Sequence, residues 1–119
     1  MKWHRRYLEL AKEVSTWSKD PSTRVGAVAV DPTTGQILST GYNGFPRGIS
    51  DTEERLNNRD LKLCLTIHAE LNTILNASLT GVSLKGSHMY VYGLPPCSTC
   101  TLSIIQSGIK KVFFLKTDI

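Results

Sequence analysis

Three residues stand where a metal ion could be held. His68 lies in Ile67-His68-Ala69-Glu70-Leu71, and Cys97 and Cys100 lie in Pro95-Pro96-Cys97-Ser98-Thr99-Cys100. One imidazole and two thiolates are borderline-to-soft donors that suit Zn²⁺. A structural zinc centre normally closes with four protein ligands, whereas three leave a position for water, as in catalytic centres. Zinc lowers the pKa of a bound water from ~15.7 to about 7, so hydroxide is available at neutral pH. Glu70 follows His68 by two residues, and this spacing makes it a proton carrier beside that water and not a ligand. Such a carboxylate takes the water's proton and returns it to a ring nitrogen and then to a leaving amine. The implied chemistry is hydrolytic release of an amine from an amidine-like ring carbon, with one catalytic zinc ion.

These side chains need two helix starts to position them. Cys97 and Cys100 are three residues apart, so in a first helical turn they share a face. The preceding Pro-Pro pair fits a helix that begins there, and its N-terminal dipole and free N–H groups favour thiolates. The spacing predicts this helix over 97–106, stopped by Ser107-Gly108. His68 opens a second apolar-periodic segment through Leu71, Ile74 and Leu75, predicted to be helical over 66–76. The two helix starts then face each other across one ion. Cys64 precedes His68 by four and would share its face if the helix reached back that far. It is set aside as a ligand: a fourth thiolate would displace the reactive water, and Leu63, Leu65 and Ile67 read as a buried approach to the helix.

The rest of the chain supplies a scaffold. Trp3, Tyr7, Leu10, Ala11, Val14 and Trp17 recur at near-helical spacing and predict an amphipathic helix over 3–18. Both tryptophans read as core or interface residues. Residues 18–24 form a polar, turn-rich loop. Val25–Val30 is a short apolar strand, Asp31-Pro32-Thr33-Thr34-Gly35 a hairpin turn, and Gln36–Tyr42 the returning antiparallel strand. Gly41-Tyr42-Asn43-Gly44-Phe45-Pro46-Arg47-Gly48 allows a sharp turn and close backbone approach. Asn43 in that turn offers a donor and an acceptor to a sugar hydroxyl or ring edge. The charged stretch 50–63 reads as a solvated loop or a short helix beside the site. Residues 88–92 and 111–115 are two further strands. The last three strands are joined through helices, and right-handed crossovers make those strand pairs parallel. The zinc-site residues would then lie near strand ends, where α/β sheets bind ligands.

Composition sets limits. The chain has 119 residues, enough for one domain over 1–119. With 40% hydrophobic and 20% charged residues it has the balance of a water-soluble globular protein. No apolar run has the length of a membrane span, and the basic start Met1-Lys2-Trp3-His4-Arg5-Arg6 lacks the apolar core of a signal peptide. A cytoplasmic location is the default expectation. Three cysteines, two of them assigned to metal, fit a reducing compartment and not a disulfide framework. The net charge of +4 is spread without a long Lys/Arg run. It favours an anionic small-molecule substrate over nucleic acid.

The paired motifs H-x-E and P-C-x-x-C are the signature of zinc-dependent deaminases. Over nearly its whole length the chain resembles the cytidine deaminase superfamily, and within it the deoxycytidylate (dCMP) deaminases. Ser18-Lys19-Asp20-Pro21, Val25-Gly26-Ala27, Gly41-Tyr42-Asn43-Gly44, His68-Ala69-Glu70-Leu71-Asn72, Pro96-Cys97-Ser98-Thr99-Cys100 and Ile104–Ile109 carry the likeness. The Ser-Lys-Asp-Pro and Gly-Tyr-Asn-Gly stretches point to the dCMP branch. The resemblance implies an α/β fold, a three-layer α-β-α sandwich around a mixed sheet. It implies zinc on His68, Cys97 and Cys100, proton transfer by Glu70, and attack at C4 of cytosine to give dUMP, which feeds thymidylate synthesis. The backbone at Ala69 would meet the base edge, Asn43 the sugar, and Ser22 and Arg24 the phosphate. It also implies a homo-oligomer, often activated by dCTP with Mg²⁺ and inhibited by dTTP. Relatives usually continue into a fifth strand and terminal helices. A chain stopping at Ile119 is expected to lack them, as a minimal or a truncated form with an apolar edge strand that favours oligomers or lowers stability. Thr101-Leu102 also stands where Ala-Lys is often found.

Two other readings compete. A tRNA adenosine or free cytidine deaminase would use the same zinc chemistry, but a tRNA binder needs a denser basic face. A non-catalytic zinc-stabilised binding module would need only the ligands, and Glu70 speaks against it.

Overall fold

β1 (Gly26–Val30) is buried at every residue, because both faces of the sheet are covered here. Its side chains alternate between two cores. Ala27 and Ala29 face Ala69, Ala77, Met89, Val91 and Ile104, while Val28 and Val30 face Tyr7, Ala11, Val14 and Tyr90. This period-2 division is what a strand between two helical layers requires. The computed structural model describes residues 2–116. Met1 and residues 117–119, which the expected domain also includes, lie outside the described residues.

The elements run α1 (Lys2–Ser15), β1, β2 (Ile37–Tyr42), α2 (Glu53–Asn57), α3 (Arg59–Leu65), α4 (Ala69–Leu79), β3 (His88–Tyr92), α5 (Ser98–Gln106) and β4 (Lys111–Leu115). The described sheet has the order β2-β1-β3-β4. β1 is antiparallel to both β2 and β3, and β3 is parallel to β4. β2 and β3 therefore run in the same direction, as the crossover argument expects, but β1 lies between them. Only β3 and β4 are a bonded parallel pair. α1 covers one face, and α4 and α5 lie on the other. The result is the expected three-layer α-β-α sandwich around a mixed sheet.

Close approach is possible because glycine sits at two contact points. A Cβ on Gly26 would run into the backbone of Ala11 and Ser15 in α1. A Cβ on Gly41 would lie 2.5 Å from the Thr73 nitrogen and 2.8 Å from the Ala69 oxygen in α4. Both separations are shorter than packed atoms tolerate.

Several expectations need correction. α1 ends at Ser15, so Trp17 lies beyond it and helical spacing no longer governs its side chain. Trp17 is half exposed and edge-on to Tyr42, with ring centroids 6.3 Å apart. Trp3 is likewise exposed, with the Arg6 guanidinium 4.5 Å over its ring. The buried stripe of α1 is Tyr7, Ala11, Val14 and Ser15. The stretch 50–63 holds parts of two helices instead of one. Thr52 caps α2 by accepting the Arg55 N–H, and Asn58 caps α3 by accepting the Leu61 N–H. Both caps are readable in the sequence as a polar N-cap residue followed by acidic first-turn residues. Leu63 is exposed and not part of a buried approach.

Candidate active site

The site lies at the end of the sheet where β2 and β3 finish and β1 begins. His68 is the N-cap residue of α4 in an extended conformation, and its side chain makes no capping hydrogen bond. The ring is therefore free to turn away from its own helix. Cys97 is the N-cap residue of α5, and its Sγ accepts the Cys100 N–H at 3.4 Å. His68 Nδ1 is 3.4 Å from Cys97 Sγ and 3.3 Å from Cys100 Sγ. All three donor atoms lie within 4.8 Å of one another. Zinc bonds of ~2.3 Å to sulfur and ~2.0 Å to nitrogen in a tetrahedron set N···S edges of ~3.5 Å. The observed separations match that edge, so the donor set fits zinc. Among the described residues no fourth His, Cys, Asp or Glu joins this cluster.

Cys64 is exposed and sits on α3, not on the helix that follows His68. The break between α3 and α4 has a visible cause. Ile67 and Gly44 exchange backbone hydrogen bonds of 2.8 and 3.1 Å, an isolated antiparallel bridge. The bridge holds the chain extended just before His68 and ties it to the turn after β2. Asn72 adds a bond from Nδ2 to the Tyr42 carbonyl at 2.8 Å.

Glu70 lies in the first turn of α4 and is only 4% exposed. Burial pushes its pKa above the ordinary carboxylate value, opposed by its own backbone N–H and by His68. Burial, with the Cys97 sulfur and Glu70 nearby, pushes the Cys100 thiol up to about 12, opposed by the Leu71 N–H. The polypeptide alone therefore favours a neutral thiol here. A cation bound to the sulfurs reverses that balance and makes the thiolate the stable form.

Beside the triad opens a cavity of about 340 Å³. Glu70, Ala69, His68 and Cys97 line its floor, with Asn43, Val25 and Thr23 on one side and Leu63, Thr66, Leu94 and Pro95 among the rest. Asn43 is buried, and its amide is partly engaged. Oδ1 accepts the Val25 N–H at 2.8 Å, and Nδ2 donates to the Thr23 carbonyl at 2.8 Å. Its backbone carbonyl accepts the Ser18 hydroxyl at 2.8 Å. The Ser18–Pro21 loop and the Gly41–Gly44 turn are thus stitched together at the cavity wall.

Of the two residues expected to meet phosphate, Ser22 lines the cavity and Arg24 does not. The exposed Arg24 instead turns its Nε toward the Asp20 carbonyl at 3.3 Å. Sequence reasoning missed three charged lining residues: Asp20, Arg59 and Lys62. Asp20 Oδ1 accepts the N–H groups of Ser22 (2.8 Å) and Thr23 (3.0 Å) and pairs with Lys62 Nζ at 3.1 Å. Burial works to raise the Asp20 pKa, but those two N–H groups and Lys62 outweigh it and hold the carboxyl below its ordinary value. Lys62 falls in a charged run that looks solvated, and its partner is 42 residues away. No local signal could have paired them.

Comparison with known proteins places this geometry. The family described as the cytidine and deoxycytidylate deaminase zinc-binding region matches residues 1–116. The chain is 44% identical over 119 residues to a probable deoxycytidylate deaminase of Caenorhabditis elegans, with 98% of this chain and 58% of that protein covered. It is 43% identical over 112 residues to an uncharacterized deaminase of Aliivibrio fischeri, with 94% of this chain and 71% of that protein covered. The chain thus spans between about half and three quarters of these relatives' length. Among solved structures, it is similar to dCMP deaminase from the cyanophage S-TIM5 in complex with dCMP and dUMP. The TM-score is 0.75 and the identity 30%, covering 92% of this chain and 78% of that one.

Proposed function

The chain belongs to the cytidine and deoxycytidylate deaminase zinc-binding family, and on that premise we propose that it hydrolyses dCMP to dUMP and ammonia. The observation that carries this reading is the convergence of His68 Nδ1 with the sulfurs of Cys97 and Cys100 beside the buried Glu70. A nucleotide-sized cavity opens directly onto that cluster. The Caenorhabditis elegans relative is named a probable deoxycytidylate deaminase, and a similar structure is a complex with dCMP and dUMP.

In this reading His68, Cys97 and Cys100 hold one zinc ion, which supplies a nucleophilic hydroxide at neutral pH when bound. Glu70 takes a proton from the attacking water and gives it to the ring nitrogen next to C4. It then takes the remaining proton from the hydroxyl added at C4 and delivers it to the departing amine as the C–N bond breaks and the carbonyl forms. Its burial helps, because a carboxylate whose pKa is raised by desolvation holds a proton more readily than an exposed one. The fully buried Ala69 backbone meets the base edge. Asn43 has one Nδ2 hydrogen and one Oδ1 lone pair left after its two internal bonds, and these meet the sugar. The same two internal bonds fix the amide's orientation before substrate arrives. Self-association is part of the proposal, supported by the exposed Leu79 on α4 and the exposed Leu102 and Ile105 on α5. Sedimentation at two or more concentrations tests it.

An absorbance assay tests the activity. Zinc-loaded protein is offered dCMP, cytidine and a tRNA in turn, with Glu70→Ala as control. Turnover of dCMP that Glu70→Ala abolishes is the expected result. Turnover of cytidine or tRNA alone would move the chain to another branch of the family. Turnover of none would leave a zinc-stabilised binding module.

A further inference from the structure

We propose that Lys62 and Arg59, both contributed by α3, form a cationic subsite that selects a nucleoside 5′-monophosphate over the bare nucleoside. The inference rests on the dCMP reading above and assigns the recognition of the phosphate to residues other than Arg24.

Four polar side chains, Asp20, Ser22, Arg59 and Lys62, share the lining of the cavity with His68, Ala69, Glu70 and Cys97. Lys62 is well covered, with only 14% of its side chain exposed, yet Nζ reaches both Asp20 Oδ1 at 3.1 Å and Ser22 Oγ at 3.4 Å. Arg59 has no hydrogen-bond or ion-pair partner among the described residues, and it lines the same cavity. A phosphate entering here meets two cations and one carboxylate.

The carboxylate does not cancel the site. Asp20 is held by the N–H groups of Ser22 and Thr23 independently of Lys62. When Lys62 swings its ammonium toward a phosphate, Asp20 keeps two partners and is not left buried and unpaired. Lys62 has four rotatable bonds and a compact charge suited to such a transfer. A nucleoside without phosphate offers nothing to draw Lys62 away, so the pair with Asp20 stays closed. Selection then comes from a difference: the dianion gains two charge-assisted contacts that the nucleoside cannot make. Arg24 cannot contribute equally, because its guanidinium is turned outward onto the Asp20 carbonyl and does not line the cavity.

The test compares dCMP with deoxycytidine in the zinc-loaded protein and in Lys62→Met, Lys62→Arg, Arg59→Met and Arg24→Met. The readout is the ratio of kcat/KM for dCMP to that for deoxycytidine. Loss of a charge-assisted contact lowers this ratio about 10- to 100-fold in Lys62→Met and by a smaller factor in Arg59→Met. Most of the change is in KM. Lys62→Arg recovers most of it, and Arg24→Met leaves the ratio within about twofold of the parent. Calorimetric binding of dUMP, which needs no turnover, weakens in parallel. A folding defect would depress both substrates alike and leave the ratio unmoved. If the parent prefers dCMP while Lys62→Met and Arg59→Met keep that preference, the subsite is wrong and the dCMP reading stands. If the parent shows no preference for dCMP, the dCMP reading fails with it.

Discussion

Asn43 Oδ1 accepts the Val25 N–H at 2.8 Å, so one buried amide anchors the residue that leads into β1. Nδ2 of the same side chain holds the Thr23 carbonyl at 2.8 Å. Truncation in Asn43→Ala leaves both backbone groups without these partners. A loss of about 2–4 kcal/mol in unfolding free energy is expected, read from urea denaturation of the zinc-loaded protein. Asn43→Asp keeps the acceptor for Val25 but sets an oxygen against the Thr23 carbonyl, so it is expected to recover only part of the loss.

Gly41 and Gly44 lie three residues apart, and only the first is under steric demand. A Cβ at 41 collides with the Thr73 and Ala69 backbone, whereas a Cβ at 44 meets only the Tyr42 ring at 3.6 Å. Gly41→Ala therefore pushes the first turns of α4 off the sheet, at a cost of about 1–3 kcal/mol or more. The shift carries Glu70 with it, so turnover falls as well. Gly44→Ala is expected to change stability by less than about 0.5 kcal/mol. Paired thermal melts and activity measurements check both.

Metal content separates ligands from neighbours. Cys100→Ser is expected to lose most of its zinc on dialysis, because it removes one of three donors in the cluster. Cys64→Ser, altering an exposed cysteine on α3, and Glu70→Ala should each retain one zinc per chain. Elemental analysis after exhaustive dialysis decides the matter. Loss of zinc in Glu70→Ala would turn that residue from a proton carrier into a ligand.

Acid sensitivity follows from Asp20. Its folded carboxyl lies below the ordinary 3.8, so near that pH the unfolded chain binds more protons. Its contribution is full above the unfolded value and disappears as pH falls through the lower folded one. Asp20→Asn is expected to cost about 1–3 kcal/mol at pH 7. That gap should narrow steadily once the pH drops below 3.8. Urea unfolding of the zinc-free proteins across this window measures it. A gap that stays constant would mean that the negative charge on Asp20 is not what stabilises the folded chain.

Much of this arrangement can be read from short stretches of sequence. The strands at His88–Tyr92 and Lys111–Leu115 lie where their short apolar runs are expected. The donors are named by residue type and spacing, and the fold brings them to one point. What escapes local reading depends on distance along the chain. The Asp20–Lys62 pair spans 42 residues, and the Gly44–Ile67 bridge that splits α3 from α4 also joins residues far apart in the chain. Trp17 shows another limit: periodicity finds a helical face but not where the helix stops. The Thr52 and Asn58 caps are a different case, since their signal is local.

The order of β-strands also bears on how the protein comes together. β3 is wedged between β1 and β4 and runs within five residues into the Cys97 turn. Its docking against β1 is what carries both sulfurs to His68, which is made 29 residues earlier. Until that wedge is driven home the imidazole has nothing to share an ion with. Metal capture therefore depends on this strand being seated, so the bound ion and the closed sheet reinforce each other.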